Sequence, residues 1–80
     1  MTKSEINEKL TAVFRDIFDN PKLEITSQTT ANDVEGWDSI MHVNLIVAVE
    51  TAFDVRFTTK DVKGLDTVGD LMDLIAKRVK

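Results

Sequence analysis

The sequence predicts an all-α protein: a four-helix bundle with three longer helices, one short third helix, and a long loop between helices one and two. Apolar residues recur at intervals of three and four in the longer segments, which is the spacing of a helical face. Capping patterns precede most of the predicted helices. The only strand-like run, residues 54–57, is too short to build a sheet, so we expect it to link two helices.

Helix one is predicted to run from about residue 3 to residue 18. Thr2 and Glu5 have the spacing of a capping box at its start, and residues 19–21, Asp-Asn-Pro, are a stop signal at its end. The apolar residues share one helical face that is expected to enter the core: Ile6, Leu10, Val13, Phe14, Ile17 and Phe18.

Residues 19 to about 37 predict an irregular loop rich in Thr, Asn, Asp and Ser. Loops of this length are uncommon in small domains and are usually functional where they occur. The loop also carries apolar side chains, which we expect to pin it across the helices: Leu23, Ile25, Val34 and Trp37.

Helix two is predicted to begin at Asp38 or Ser39, both good N-cap residues, and to continue to Phe53. It is apolar over more than one face. One stripe is expected in the core, formed by Ile46, Val49 and Phe53, with Leu45 at its edge. The remaining apolar residues lie to one side and indicate a partner surface or a ligand cavity: Ile40, Val43 and Val47.

The two remaining helices repeat the capping pattern. Thr58 and Asp61 precede a short third helix that ends near Gly64, and Thr67 and Asp70 open the last helix. Its apolar residues are Leu71, Leu74, Ile75 and Val79. Its C-terminal end carries basic residues that complement the helix dipole: Lys77, Arg78 and Lys80.

Composition excludes several classes of function. A net charge of −4 with scattered cations disfavours nucleic acid as a partner, because neutralising phosphates needs a basic stripe. The absence of cysteine excludes disulfides, cysteine-based zinc sites and cysteine nucleophiles. No apolar run approaches the ~20 residues of a membrane span, and residues 1–5 lack the features of a signal peptide. We expect a cytoplasmic, free-standing, monomeric domain over residues 1–80 without stable membrane insertion.

The sequence offers little for catalysis, and we expect the protein not to be an enzyme. His42 is the only histidine, and a pairing with Ser39 would still need an orienting group and an oxyanion hole. With one histidine and no cysteine, a metal site is not expected. We predict that His42 is a surface residue near the start of helix two.

Residues 35–40, Glu-Gly-Trp-Asp-Ser-Ile, are the most informative stretch. Ser39 lies in the first turn of a helix, where free N–H groups and the helix dipole favour an anionic group. These physical grounds leave two interpretations open. Ser39 is either an N-cap or the site of an anionic modification.

Asp38-Ser39-Ile40 resembles the Asp-Ser-Leu motif of acyl carrier proteins. The similarity extends without a gap from about Gly36 to Ile75, and the first helix and the long loop match in length and pattern. Within helix two it covers Val43, Leu45, Ile46, Ala48, Val49, Glu50 and Phe53. The resemblance implies a single acyl-carrier-like domain that holds acyl groups as thioesters.

The resemblance also implies a cofactor and partners. Ser39 matches the attachment point of a 4′-phosphopantetheine arm, which a phosphopantetheinyl transferase moves from coenzyme A with Mg²⁺. Asp38 matches the acid that helps this transferase to engage. The arm supplies the thiol that the chain lacks. Further implied partners are acyl-loading and acyl-transferring enzymes, which face helix-two positions, or an acyl cavity, at Ile40, Val43, Val47 and Glu50.

The chain departs from the carriers of fatty-acid synthesis in its charges. Their helix two is strongly acidic, whereas the matching positions here hold Met41, Asn44, Thr51 and Ala52, and positive charge is added nearby by Arg56, Lys60 and Lys63. We expect weaker steering by basic partners. This indicates a specialised lipid or polyketide-type pathway rather than housekeeping fatty-acid synthesis. Trp37 also departs from the usual pattern, and we expect it to anchor the loop or to touch the arm.

Two alternatives remain. An aminoacyl or peptidyl carrier shares the bundle and the serine, but more often has glycines directly before the serine, where Asp38 stands here. A helical interaction module without the arm would use the surface of helix two directly, and Ser39 would then be only a cap.

Overall fold

The computed structural model describes residues 2–79. Met1 lies outside this range, and so does Lys80, which belongs to the predicted basic cluster. Four α-helices follow in order: α1 (Lys3–Ile17), α2 (Ser39–Phe53), α3 (Thr59–Lys63) and α4 (Val68–Arg78). The loop between α1 and α2 contains one turn of 3₁₀ helix, Ala31–Asp33. Residues 2–79 contain no strand, and residues 54–57 link α2 to α3. The predicted all-α architecture is therefore confirmed.

The predicted capping boxes form at α1, α3 and α4. At α1, Thr2 Oγ1 accepts a hydrogen bond from the Glu5 N–H (3.1 Å), and Glu5 Oε1 accepts one from the Thr2 N–H (3.0 Å). The same reciprocal pattern starts α3 and α4. Because these bonds satisfy amides that have no partner within the helix, each box fixes where its helix begins.

One core joins the helices, with α1 packing against both α2 and α4. On α1 the buried residues are Ile6, Leu10 and Phe14; Val13, Ile17 and Phe18 are only half-buried, since they lie at the edge of the apolar face or in the last turn and its cap. The stripe predicted on α2 is buried as expected, namely Ile46, Val49 and Phe53, and Leu45, which was expected at its edge, is fully buried as well. The α4 contribution is Val68, Leu71 and Ile75.

The long loop is fastened to the first turn of α4. The Val68 N–H donates to the Thr29 carbonyl (2.8 Å) and the Gly69 N–H donates to the Ser27 carbonyl (2.9 Å). The approach is so close that a Cβ on Gly69 would stand 2.6 Å from the Ser27 carbonyl oxygen. The loop side chains predicted to pin it do turn inward: Ile25 and Val34 are buried, and Leu23 and Trp37 are half-buried.

Two further contacts hold α3 in place. Arg78 in the last turn of α4 pairs with Asp61 of α3 (2.6 Å). Glu50 Oε2 of α2 accepts a hydrogen bond from the Phe57 N–H just before α3 (3.0 Å). The short helix is thus tied to both of the longer helices beside it. Among residues 2–79, no helix combines the length and the apolar character that crossing a membrane requires.

Candidate functional site

Ser39 is the first residue of α2, and Asp38 is its N-cap. Asp38 Oδ1 accepts a hydrogen bond from the Met41 N–H (2.9 Å), which is the bond a capping side chain makes. Ser39 is exposed, and its hydroxyl makes no hydrogen bond within residues 2–79. The interpretation of Ser39 as only a cap is therefore wrong: the neighbouring aspartate performs that role and leaves the serine free.

The first turn of α2 also has free amides. The His42 N–H is bonded to the Asp38 carbonyl (2.8 Å), and the Met41 N–H is taken by the Asp38 carboxylate. The N–H groups of Ser39 and Ile40 precede the first bond of the helical ladder. They remain available to solvent or to an anion at this position, which the helix dipole favours.

A tight turn delivers the chain to Ser39. Gly36 has a φ of +86°, and the Asp38 N–H donates to its carbonyl (3.1 Å). A residue with a side chain would be strained at that φ, although nothing lies within 4 Å of a Cβ built there. The turn therefore needs glycine for its backbone conformation and not for space.

Trp37 anchors the end of the long loop, which is one of the two roles expected for it. Its ring packs edge-on against Phe14, with the centroids 5.4 Å apart, and also lies against Phe18 at 6.0 Å. Aromatic pairs in these arrangements stabilise beyond the area they bury. Ser39 thus follows two residues after a side chain fixed against α1.

His42 differs from the prediction of a plain surface residue. It is half-buried, its Nδ1 accepts a hydrogen bond from Trp37 Nε1–H (3.1 Å), and the two rings are 16° from parallel. The physical reason is the helix start: with Asp38 as N-cap, Trp37 and His42 occupy the N′ and N4 positions, whose side chains meet in a hydrophobic staple. The sequence analysis did not predict this pair, although the spacing of the two residues is that of a hydrophobic staple.

The side of α2 away from the core is apolar and exposed. We call it the α2 apolar strip: Ile40, Val43 and Val47, whose side chains are 73%, 61% and 55% exposed. Of the two predicted settings, partner-facing or cavity-facing, this exposure favours the first. Val47 also borders an open groove of about 460 Å³, together with Glu50, Thr51, Asp54, Val55 and Arg56.

Charges around the strip are few on α2 and of both signs beyond it, where Asp38 and Asp54 cap the two ends of the helix. Glu50 is the only acidic residue within α2, and its carboxylate is half-buried and bonded to the Phe57 N–H. Arg56, Lys60 and Lys63 are exposed. The backbone N–H of Thr58, and to a smaller extent the Thr58 hydroxyl and Arg78, hold the pKa of the Asp61 carboxyl below its usual value.

These residues fit a phosphopantetheine arm. The attachment chemistry requires an accessible hydroxyl, and Ser39 offers one that is exposed and has no hydrogen-bond partner in the described part of the chain. Its phosphodiester would meet free amides at the positive end of a helix. No side chain in the sequence supplies a thiol, so a thioester carrier of this composition needs one from the cofactor.

Comparison with known proteins agrees with this arrangement. The family model described as the phosphopantetheine attachment site matches residues 8–75. The chain is 33% identical over 76 residues to the acyl carrier protein of Acidothermus cellulolyticus, covering 95% of this chain and 90% of that protein. It is 34% identical over 80 residues to the acyl carrier protein of Thermosynechococcus vestitus, covering 99% and 98%.

The fold is shared as well. The solution NMR structure of holo acyl carrier protein from Geobacter metallireducens matches with a TM-score of 0.85 and 40% identity, covering 90% of this chain and 83% of that one. The four helices, the exposed serine and the family match point to one conclusion. The chain belongs to the acyl carrier proteins of the phosphopantetheine attachment family, which are carriers rather than enzymes and bear a covalent 4′-phosphopantetheine.

Proposed function

We propose that Ser39 carries the 4′-phosphopantetheine arm, on which the protein holds acyl groups as thioesters for separate biosynthetic enzymes in the cytoplasm. The observation that carries this proposal is the exposed, unbonded hydroxyl at the first residue of α2. Asp38 supports it in two ways. It starts the helix, and it places a carboxylate beside the serine for a phosphopantetheinyl transferase to recognise.

The attachment step follows from the chemistry of the hydroxyl. Ser39 Oγ attacks the phosphorus of coenzyme A that bears the pantetheine. A new O–P bond forms, the pyrophosphate P–O bond breaks, and adenosine 3′,5′-bisphosphate leaves. The serine proton would pass to a base of the transferase, where Mg²⁺ would neutralise charge on the phosphates. The terminal thiol that the arm supplies is the group that holds an acyl chain as a thioester.

Intact mass spectrometry tests the attachment. Incubation with coenzyme A, Mg²⁺ and a broad-specificity phosphopantetheinyl transferase should add the mass of one phosphopantetheinyl group. Ser39→Ala should abolish the gain, whereas Ser4→Ala and Ser27→Ala, which remove the other two serines one at a time, should leave it unchanged. No gain would favour an interaction module without the arm, and a gain that survives Ser39→Ala would place the arm elsewhere.

We also propose that the pathway is a specialised lipid or polyketide-type one. The support is the surface of α2, where the apolar strip is exposed and the acids are limited to Glu50 within the helix and Asp38 and Asp54 at its ends. Arg56, Lys60 and Lys63 lie exposed beyond the helix. A basic enzyme patch would gain little electrostatic steering from this surface. The relatives named above are acyl carrier proteins, which favours acyl over aminoacyl loading.

Binding to a fatty-acid ketosynthase tests the pathway. We expect the holo protein to bind it weakly, and Asn44→Glu with Thr51→Glu to strengthen binding, because both positions are exposed on α2. The matched control is Asn7→Glu with Ala12→Glu, which adds the same charge to exposed positions of α1 and should change little. Tight binding and full chain elongation by the unaltered protein would contradict the proposal.

A further inference from the structure

Trp37 and His42 form a rigid pair beside the attachment site. The indole N–H donates to His42 Nδ1 at 3.1 Å, and the indole itself is held by Phe14 and Phe18 of α1. The imidazole therefore takes its orientation from the aromatic contacts of α1, through the tryptophan. A histidine that served only as a surface residue would not require this fixed orientation of its ring.

The hydrogen bond also fixes which imidazole nitrogen carries the proton. An indole N–H can only donate, so His42 Nδ1 must accept and be unprotonated. The neutral ring then carries its hydrogen on Nε2. Nε2 has no protein partner within residues 2–79, and no side-chain nitrogen or oxygen in that range is both buried and unbonded. The Nε2–H is consequently a spare donor that is open to solvent.

The position of this donor relates it to Ser39. Residues three apart on a helix are neighbours on its surface, with Cβ atoms about 5–6 Å apart. α2 contains neither lysine nor arginine, so no cationic side chain of the helix competes with the His42 donor for an anion at Ser39. A phosphodiester on Ser39 would therefore have two amides of the first turn and, on one flank, the imidazole donor.

We propose that His42 Nε2–H donates a hydrogen bond to the phosphodiester of the arm on Ser39, and that Trp37 is a positioning residue that fixes the imidazole tautomer. The inference rests on the proposed attachment at Ser39. It gives the residues beside the attachment point of the arm a recognition role, and this role is separate from that of the α2 apolar strip. The first group of the arm would then be held by His42 on the surface of α2.

Nuclear magnetic resonance of the holo protein tests this directly. Intact mass first establishes loading at Ser39. In mildly alkaline buffer, imidazole ¹⁵N shifts should show the Nε2–H tautomer in both apo and holo protein, and the holo protein should show a through-hydrogen-bond coupling between ¹⁵Nε2 and ³¹P. In His42→Leu, which fills similar space without a donor, the ³¹P resonance should move toward that of a free phosphodiester.

Three variants serve as controls. His42→Gln keeps an N–H donor and should restore part of the ³¹P shift. Asn44→Ala removes a donor from another side of α2 and should leave the ³¹P resonance unchanged. Trp37→Phe keeps an aromatic ring but removes the indole donor, and in the loaded protein it should give a mixed imidazole tautomer.

The outcomes separate this proposal from the one on which it rests. A normal mass gain with the same ³¹P shift in His42→Leu, or an Nδ1–H tautomer in the unaltered protein, overturns the role of His42 alone. Failure of Ser39 to gain mass overturns both proposals. If His42→Leu does not fold, as judged by circular dichroism, the presence or absence of the ¹⁵N–³¹P coupling in the unaltered holo protein decides the question.

Discussion

At the scale of single residues, the site depends on Asp38 and Ser39 having different roles. The Asp38 carboxylate accepts a hydrogen bond from the Met41 N–H and so begins the helix, while the hydroxyl of the serine one position later has no hydrogen-bond partner within residues 2–79. If the serine were the cap, its oxygen would be engaged with the backbone and less available as a nucleophile. The order of the two residues therefore has a chemical consequence.

Two substitutions at Asp38 separate its structural and recognition roles. Asp38→Ala should lower the free energy of unfolding by about 1 kcal/mol, because a helix loses its cap, whereas Asp38→Asn should change it by only a few tenths, since asparagine caps equally well. Both should slow transferase loading, which is measured by timed mass spectrometry. Loading of Asp38→Asn at the original rate would show that the carboxylate charge is not recognised.

At the scale of elements, the long loop behaves as a fastened segment. Its middle pairs with the first turn of α4, and its end is held by Trp37 against α1. The contact at Gly69 leaves no room for a side chain, because a Cβ would meet both the carbonyl oxygen and the Cβ of Ser27. The start of α4 and the loop are thus positioned together.

Gly69→Ala tests this fastening. We expect a loss of about 1–3 kcal/mol in the free energy of unfolding, as for other overpacked positions. The control is Gly64→Ala, where the nearest atoms lie 3.8 Å from the added Cβ and φ is −84°, so that stability should stay within about 0.5 kcal/mol. Urea denaturation measures both. Equal stabilities would mean that the loop can move away from α4 without cost.

At the scale of the whole molecule, stability comes from one modest core supplemented by carboxylates at helix starts. No polar side chain is buried among the described residues. The N–H and the hydroxyl of Thr2 hold the pKa of Glu5 below its usual value of 4.5, and the corresponding groups of Thr58, together with Arg78, hold that of Asp61 below 3.8. These ionised carboxylates favour the folded state.

The lowered pKa values predict an acid-dependent loss of stability. A carboxyl group with a lowered folded pKa binds fewer protons than in the unfolded chain, so its contribution is present above 4.5 or 3.8 and disappears as the pH falls through the lowered value. Glu5→Gln with Asp61→Asn should make the melting temperature fall less steeply with acid. Glu8→Gln, an exposed change on α1, should leave the slope unchanged, and an unchanged slope in the double variant would contradict the assignment.

Sequence analysis anticipated what is locally encoded and missed what depends on distant contacts. Helix starts follow from capping patterns within four residues, so those at Thr2, Thr58 and Thr67 were predicted to the residue. The 3₁₀ turn after Thr30 has the same kind of start, because the Asp33 carboxylate accepts a hydrogen bond from the Thr30 N–H. It was not predicted, since a single turn in a polar loop shows no apolar periodicity.

Two long-range contacts could not be predicted from local sequence patterns. The pair between Asp61 and Arg78 joins residues 17 positions apart, and nothing in either segment specifies the other. The bond from Phe57 to Glu50 closes a link whose path depends on the packing of α3. At the site, the resemblance identified Ser39 and Asp38. Their different roles became clear only from the hydrogen bonds in the structure.

The packing of Trp37 has an optical consequence. It is the only tryptophan, and the sequence has no tyrosine, so the near-ultraviolet emission of the protein comes essentially from this one indole. That ring lies two residues before Ser39, contacts α1 and is hydrogen-bonded to His42. Its emission is therefore expected to respond to the proposed attachment at Ser39 and to loosening of the loop, without any added label.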